Sequence, residues 1–382
     1  MDKNEGTPLL NQDVLEGSEQ NSLGQSGIEA GLPQIHWDIG TAYDFFISLT
    51  VLHNPEDFGL RASWAAGVRS RLSTVDKKTL LDAERACGSP ITWIYQLPAP
   101  KNASSAIWTL GQIPAEERLP ALAFDEGQSS RKKEIFLDVA ERGAWDEADM
   151  EALKSVYKED KTSKHKPTSP KILKNKLDTW AEVKDFGERY LAALESYYRV
   201  FFAEEETRIE PILRQELSRA QEMSNQLELM ELLEQLSQGL HFDKILDKDK
   251  IILTPSFWAS PLVFFDDIGE SEMLLTFGAR PAQDSLVPGE AIPDALLRGL
   301  KAISDPTRLR ILRFLTCDPM TPADLARKLR LRAPTVTHHL KTLRLAGLVH
   351  LSIELNSEGH YAARLEAVEE LNKNLDKFLK CE

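Results

Sequence analysis

The sequence predicts a mostly α-helical chain with a small β component, in which a helical α+β region precedes a compact trihelical unit and a hairpin. Three observations carry this. Over residues 302–349, apolar residues recur at helical spacing in three short blocks, each closed by turn residues. Two strand-like runs, 348–355 and 360–365, flank the turn Asn356-Ser357-Glu358-Gly359 and read as a β-hairpin. Upstream, apolar and aromatic residues repeat every three or four positions over long stretches.

Each element of the C-terminal unit has a local cause. The first block contains Ser304-Asp305-Pro306-Thr307-Arg308-Leu309-Arg310-Ile311-Leu312. The second opens on Thr321, whose hydroxyl can cap a helix, with Pro322 at the first helical position and Asp324 completing a capping box. Its core side is Ala323, Leu325, Ala326 and Leu329. After the turn Arg330-Leu331-Arg332, Pro334 starts a third helix with Val336, Leu340, Leu343 and Ala346 inward, and Gly347 ends it with a left-handed cap. Three helices and a β-hairpin wing make a winged helix-turn-helix over residues 291–365.

The third helix leaves outside Thr335, Thr337, His338, His339, Lys341, Thr342 and Arg344. Side chains of this kind reach base edges and phosphates when a helix lies in a major groove. Lys341 and Arg344 are the foremost phosphate or guanine candidates, and Arg332, Arg308 and Arg310 are secondary phosphate candidates.

On these residues the chain resembles the ArsR family of bacterial transcriptional regulators. Residues 304–312 resemble that family's first-helix motif and residues 335–349 its recognition helix, so the likeness covers roughly residues 291–380. The resemblance implies sequence-specific DNA binding, more often repression, by a homodimer. Three departures stand out. Where metal-sensing members carry paired cysteines, only Cys317 stands here, and one thiolate cannot close a thiolate site. The usual serine before the recognition helix is Ala333, and the wing carries Glu354 and Glu358 where basic residues are common.

Charge is distributed as such a module requires. The whole chain of 382 residues carries −14, but residues 291–365 hold 12 Lys and Arg against 6 Asp and Glu, or +6, which leaves −14 − 6 = −20 elsewhere. A basic module on an acidic body binds phosphate with one face and is repelled elsewhere. Cys87, Cys317 and Cys381 are scattered and odd in number, against a disulfide framework or a Cys-x-x-Cys site. No Walker loop, Gly-x-Ser-x-Gly, His-Glu-x-x-His or Gly-x-Gly-x-x-Gly occurs, and the adjacent pair His338-His339 cannot converge on one metal from a helix. No catalytic residue, metal or cofactor is therefore expected. With no run of about 18 apolar residues and no basic-then-apolar leader, a cytoplasmic protein is expected.

The remaining chain reads in order as follows. Residues 1–34 are polar and aperiodic, a disordered tail. Residues 35–290 form a sensor or assembly region. Phe45, Leu49 and Leu52 share a helical face there, and Trp37 to Phe46, with Asn54-Pro55 and Arg61-x-x-Trp64, resembles the N-terminal region of longer ArsR-type regulators. A lysine-rich linker is expected near 158–172. Trp180, Val183, Phe186, Tyr190, Leu194, Tyr197 and Phe201 then form a stripe read as core before pocket, with Pro211 kinking or restarting the helix. Three short runs over 250–281 suggest an antiparallel meander. In the terminal helix, 366–382, the stripe Leu365, Val368, Leu371, Leu375 and Phe378 suggests dimerisation, with packing on its own body as the alternative. The expected function is thus a dimeric DNA-binding regulator modulated by an effector of the N-terminal region. The alternative is a protein-interaction module using its winged helix without strong DNA binding, to which the acidic wing points.

Overall fold

The computed structural model describes residues 32–58, 60, 62–124, 130–159, 169–242, 245–281, 292–353 and 359–380. Most of the expected tail, most of the linker, and the wing residues Glu354 and Glu358 lie outside them.

Strand β1 (Gln34–Trp37) leads into a helical body of α1 (Thr41–His53), α2 (Ala62–Ser70), α3 (Thr74–Cys87), α4 (Ile91–Gln96), α5 (Ala103–Gln112) and α6 (Ala115–Ala123). It continues with α7 (Arg131–Arg142), α8 (Glu147–Glu159), α9 (Pro170–Ala181), α10 (Val183–Tyr197), α11 (Ala203–Ser224) and α12 (Leu229–Leu236). Both borders of the expected linker are helical: Ser169 caps α9 by accepting from Ile172 N, and Pro170 occupies its first turn. Buried Leu173, Leu177 and Trp180 then hold that helix to the body, so apolar spacing outweighed the lysines. The aromatic stripe is core: Trp180, Tyr190 and Tyr197 are fully or almost fully buried. Pro211 lies inside α11 without ending it; the break in α-helical hydrogen bonding falls earlier, at the π-helical turn Tyr198–Phe202.

The expected antiparallel meander is corrected by the pairing. Strands β3 (Lys250–Ser256), β4 (Phe264–Ile268) and β5 (Glu272–Gly278) do form, but β3 and β5 are parallel, β1 adds in parallel on β3, and only β4 runs antiparallel to β5. The order is β1-β3-β5-β4. Six consecutive residues of β3, Ile251 to Ser256, are buried, as in a parallel sheet covered on both faces. Short connections suggest hairpins, whereas β3 lies between β5 and β1, and β1 comes from residues 34–37, more than 200 residues earlier in the chain.

The C-terminal unit comprises α13 (Asp294–Ile303), α14 (Pro306–Leu315), α15 (Pro322–Leu329), α16 (Ala333–Leu345), the wing strands β6 (Val349–Ile353) and β7 (His360–Ala363), and α17 (Leu365–Leu379). It has its own core around Leu296, Ile311, Leu325, Val336, Leu340 and Leu343. Helix α17 folds back onto it: Leu371 is buried against α13, where a Cβ on Gly299 would come within 2.5 Å of Leu371 Cδ1. Strand β2 (Leu240–Phe242) leaves the body and pairs in parallel with β6, giving a three-stranded sheet β2-β6-β7.

Candidate nucleic-acid interface

The turn between α15 and α16 is built locally. Thr321 accepts from Asp324 N while the Asp324 carboxylate accepts from Thr321 N, so the capping box closes. The Thr321 hydroxyl, which donates to Asp324 Oδ2, then Arg327 and the Thr321 N–H hold the Asp324 carboxyl below its ordinary range. Arg330 takes a left-handed conformation (φ 57°) to end α15, and Gly347 (φ 70°) ends the segment after α16. Arg332 stands at the N-cap of α16 and no side-chain cap bond forms; Pro334 in the first turn has no N–H and so needs no acceptor.

Helix α16 buries Val336, Leu340 and Leu343 and leaves Arg332, Thr335, Thr337, His338 and Lys341 exposed. Thr335, His338 and Lys341 follow one another at intervals of three and so share the outer face. Thr337 and Thr342 hydroxyls donate back to the carbonyls of Ala333 and His338, which leaves them as acceptors outward. His339 and Thr342 are half-buried at the edge. His339 Nδ1 stands 4.0 Å from Asp305 Oδ1, too far for a hydrogen bond, and burial lowers its pKa.

Arg344 departs from expectation. It is only 7% exposed, and its Nη1 and Nη2 donate to the carbonyls of Gln238 and Ser237, both at 3.0 Å. Burial, then the nearby Arg364, lowers its pKa to about 10, so it stays charged at neutral pH. The two carbonyls lie just past the end of α12, where a helix leaves acceptors unpaired and favours a cation. Arg344 anchors the reading helix to the body and does not face a groove here. Arg308 is likewise committed, donating to the carbonyls of Ala302 and Lys301 at the end of α13, while Arg310 is exposed.

The expected dimerisation stripe is split for a geometric reason: α17 packs on its own unit. Leu371 is buried, Val368 and Leu375 pack partly on the same core, and Leu365 and Phe378 remain exposed at 56% and 40%.

Among the described residues, five contacts join the reading unit to the body, and the sequence signalled none of them. Lys341 Nζ pairs with Asp57 Oδ1 at 2.5 Å, from the 3-10 turn Pro55–Phe58. Arg344 bridges to the end of α12, β2 lengthens the wing sheet, and His350 Nδ1 on β6 lies 2.7 Å from Glu234 Oε1 on α12. Leu351 of the wing also packs on the core shared by α12 and the four-stranded sheet.

The fold and its outward helix thus define a winged helix-turn-helix protein. A helix-turn-helix domain family matches residues 303–352. Over 78 residues the chain is 37% identical to an arsenical resistance operon repressor of Staphylococcus xylosus, covering 20% of this chain and 73% of that protein. Over 49 residues it is 43% identical to the transcriptional repressor SdpR of Bacillus subtilis (strain 168), covering 13% of this chain and 54% of that protein. The chain belongs to the ArsR family of DNA-binding transcriptional regulators. Among the described residues no helix is long and apolar enough to cross a membrane.

Proposed function

We propose that the protein is a repressor that binds double-stranded DNA as a homodimer, with α16 in the major groove and the body setting its affinity. The observation that carries this is the outer face of α16, where Thr335, His338 and Lys341 are exposed on a unit whose local charge is +6. The names of the two relatives favour repression. Exposed Leu365, Phe378 and Leu379 on α17 give a twin subunit apolar surface to cover, and a two-fold dimer suits half-sites about 34 Å apart. Regulation by the body is supported by the contacts above, because any shift of α12 reaches both the wing and the end of α16.

Lys341 carries the test. In this arrangement its ammonium is paired with Asp57, so a phosphate has to displace that carboxylate. Fluorescence anisotropy with the DNA upstream of the protein's own gene, at several salt concentrations, should show Lys341→Ala weakening binding about ten-fold, with the salt slope reduced by about one. Asp57→Asn should strengthen binding, roughly two- to five-fold, since an exposed pair contributes at most about 1 kcal/mol. If Asp57→Asn binds no more tightly than wild type, the body does not compete for the reading helix. Equal binding by wild type and Lys341→Ala would remove α16 as the reading element and bring the protein-interaction reading forward.

A further inference from the structure

A cleft of about 930 Å³ lies between the body and the winged helix, walled by α11, α12 and the end of β5 on one side and by α13 and α17 on the other. Arg298 of α13 lines it, and its Nε and Nη1 are sealed from solvent without any hydrogen-bond partner. Across the cleft, on the body, the Ser260 hydroxyl is also buried without a partner. Arg219 pairs with Glu216, Arg364 with Glu366 and Glu234 with His350, Arg280 donates to the Ser260 carbonyl, and Glu231 and Glu370 also line the cleft. Arg298 is different. Asp294, one turn back on α13, offsets its charge only in part, and a desolvated guanidinium with unmet N–H groups is costly and favours an acceptor that meets them.

We infer that this cleft is the effector site and that it takes a small molecule carrying a carboxylate or phosphate group, received by Arg298 with the Ser260 hydroxyl beside it. Planar guanidinium donors match the two oxygens of either acid, and a hydroxyl supplies one further donor. The inference deepens the proposed function by naming the chemistry that regulates it. Ser260 belongs to the body and Arg298 to the helix that leads directly into α14, so an acid group held by both ties the two parts in their present arrangement. That is the arrangement in which Lys341 is paired with Asp57. Ligand binding should therefore oppose DNA binding, with the coupling set by its preference for this state.

The test uses the full chain with inorganic phosphate and with acetate as probes, against chloride at constant ionic strength. Thermal unfolding and DNA anisotropy are read for wild type, Arg298→Met and Ser260→Ala. In chloride, Arg298→Met should melt no lower than wild type, because it removes a desolvated guanidinium whose Nε and Nη1 make no hydrogen bond among the described residues. Phosphate or acetate should raise the wild-type Tm by several degrees in a saturable way and weaken its DNA binding severalfold. Arg298→Met should lose both responses, and Ser260→Ala, a smaller change that keeps the fold, should weaken them. An Arg298→Met melting well below wild type in chloride, or responding to both acids as wild type does, would overturn the inference. So would a wild type that responds to neither acid. DNA binding in chloride is measured in the same samples, so failure of the effector site is distinct from failure of the DNA-binding reading, which would show as no binding in any medium.

Discussion

Arg344→Ala should lower the stability of the protein by roughly 3–5 kcal/mol while leaving the salt slope of DNA binding unchanged. The side chain is buried, and its two donors meet the carbonyls of Ser237 and Gln238. Alanine would leave both carbonyls without that partner and open a space between α12 and α16. A lysine at 344 keeps the charge but not the fork that spans two acceptors, so Arg344→Lys should recover only part of the loss. Denaturant midpoints give the stability, and hydrogen exchange locates it: protection should fall first at Leu351 N, which donates to Gly239 O across the β2–β6 pair. A groove-facing arginine behaves in the opposite way, with stability unchanged and one unit of salt slope lost. That result would mean that the bond to α12 is released when DNA binds.

Arg344 also illustrates what the sequence could convey. It stands four residues after Leu340 and eight after Val336, spacing that places it on the buried side of α16, yet its charge alone suggested the outer face. The C-terminal unit was legible because its causes are local. The Thr321–Asp324 capping box, the proline starts, the three-four periodicity and the left-handed Gly347 each act within a few residues. The parallel β pairings were not, because Gln34 pairs with Lys250, far along the chain, and no local pattern specifies such a partner. Strand β2 is three residues, Leu-His-Phe, too short for a period-two signal, and its role exists only beside β6. The same holds for Asp57 and Glu234: each is one acidic residue among 60 until the fold sets it against Lys341 or His350.

Asp44→Asn should abolish a fall in stability that the wild type shows between about pH 4 and pH 7. Asp44 is fully buried in α1, where its Oδ1 accepts from Ser256 Oγ and Trp258 N, both at 2.7 Å, and its Oδ2 has no hydrogen-bond partner. Burial raises its pKa from 3.8 to about 7, against the opposing pull of the Trp258 and Ser256 hydrogen bonds, with Glu205 adding to the rise. The folded state therefore keeps a proton that the unfolded chain has released. Below about pH 4 both states hold it and there is no penalty; as pH rises to 7 the penalty grows, and above 7 it is complete. Three pKa units correspond to roughly 4 kcal/mol, an upper bound for the effect. Asparagine keeps an acceptor for Ser256 and Trp258 and carries no charge, so its stability should not follow this curve. His53 works the other way: burial lowers it to about 4, so its contribution is lost as pH falls from about 6.5. The difference between wild-type and Asp44→Asn denaturation midpoints, measured from pH 4.5 to 8, removes the His53 component. A difference that stays flat across that range would show that Asp44 is ionised throughout in the folded protein. Because Ser256 and Trp258 stand four and two residues before Ser260, a positive result would also show that the segment carrying the cleft's hydroxyl is pinned to α1 by a carboxyl that is protonated when the fold is most stable.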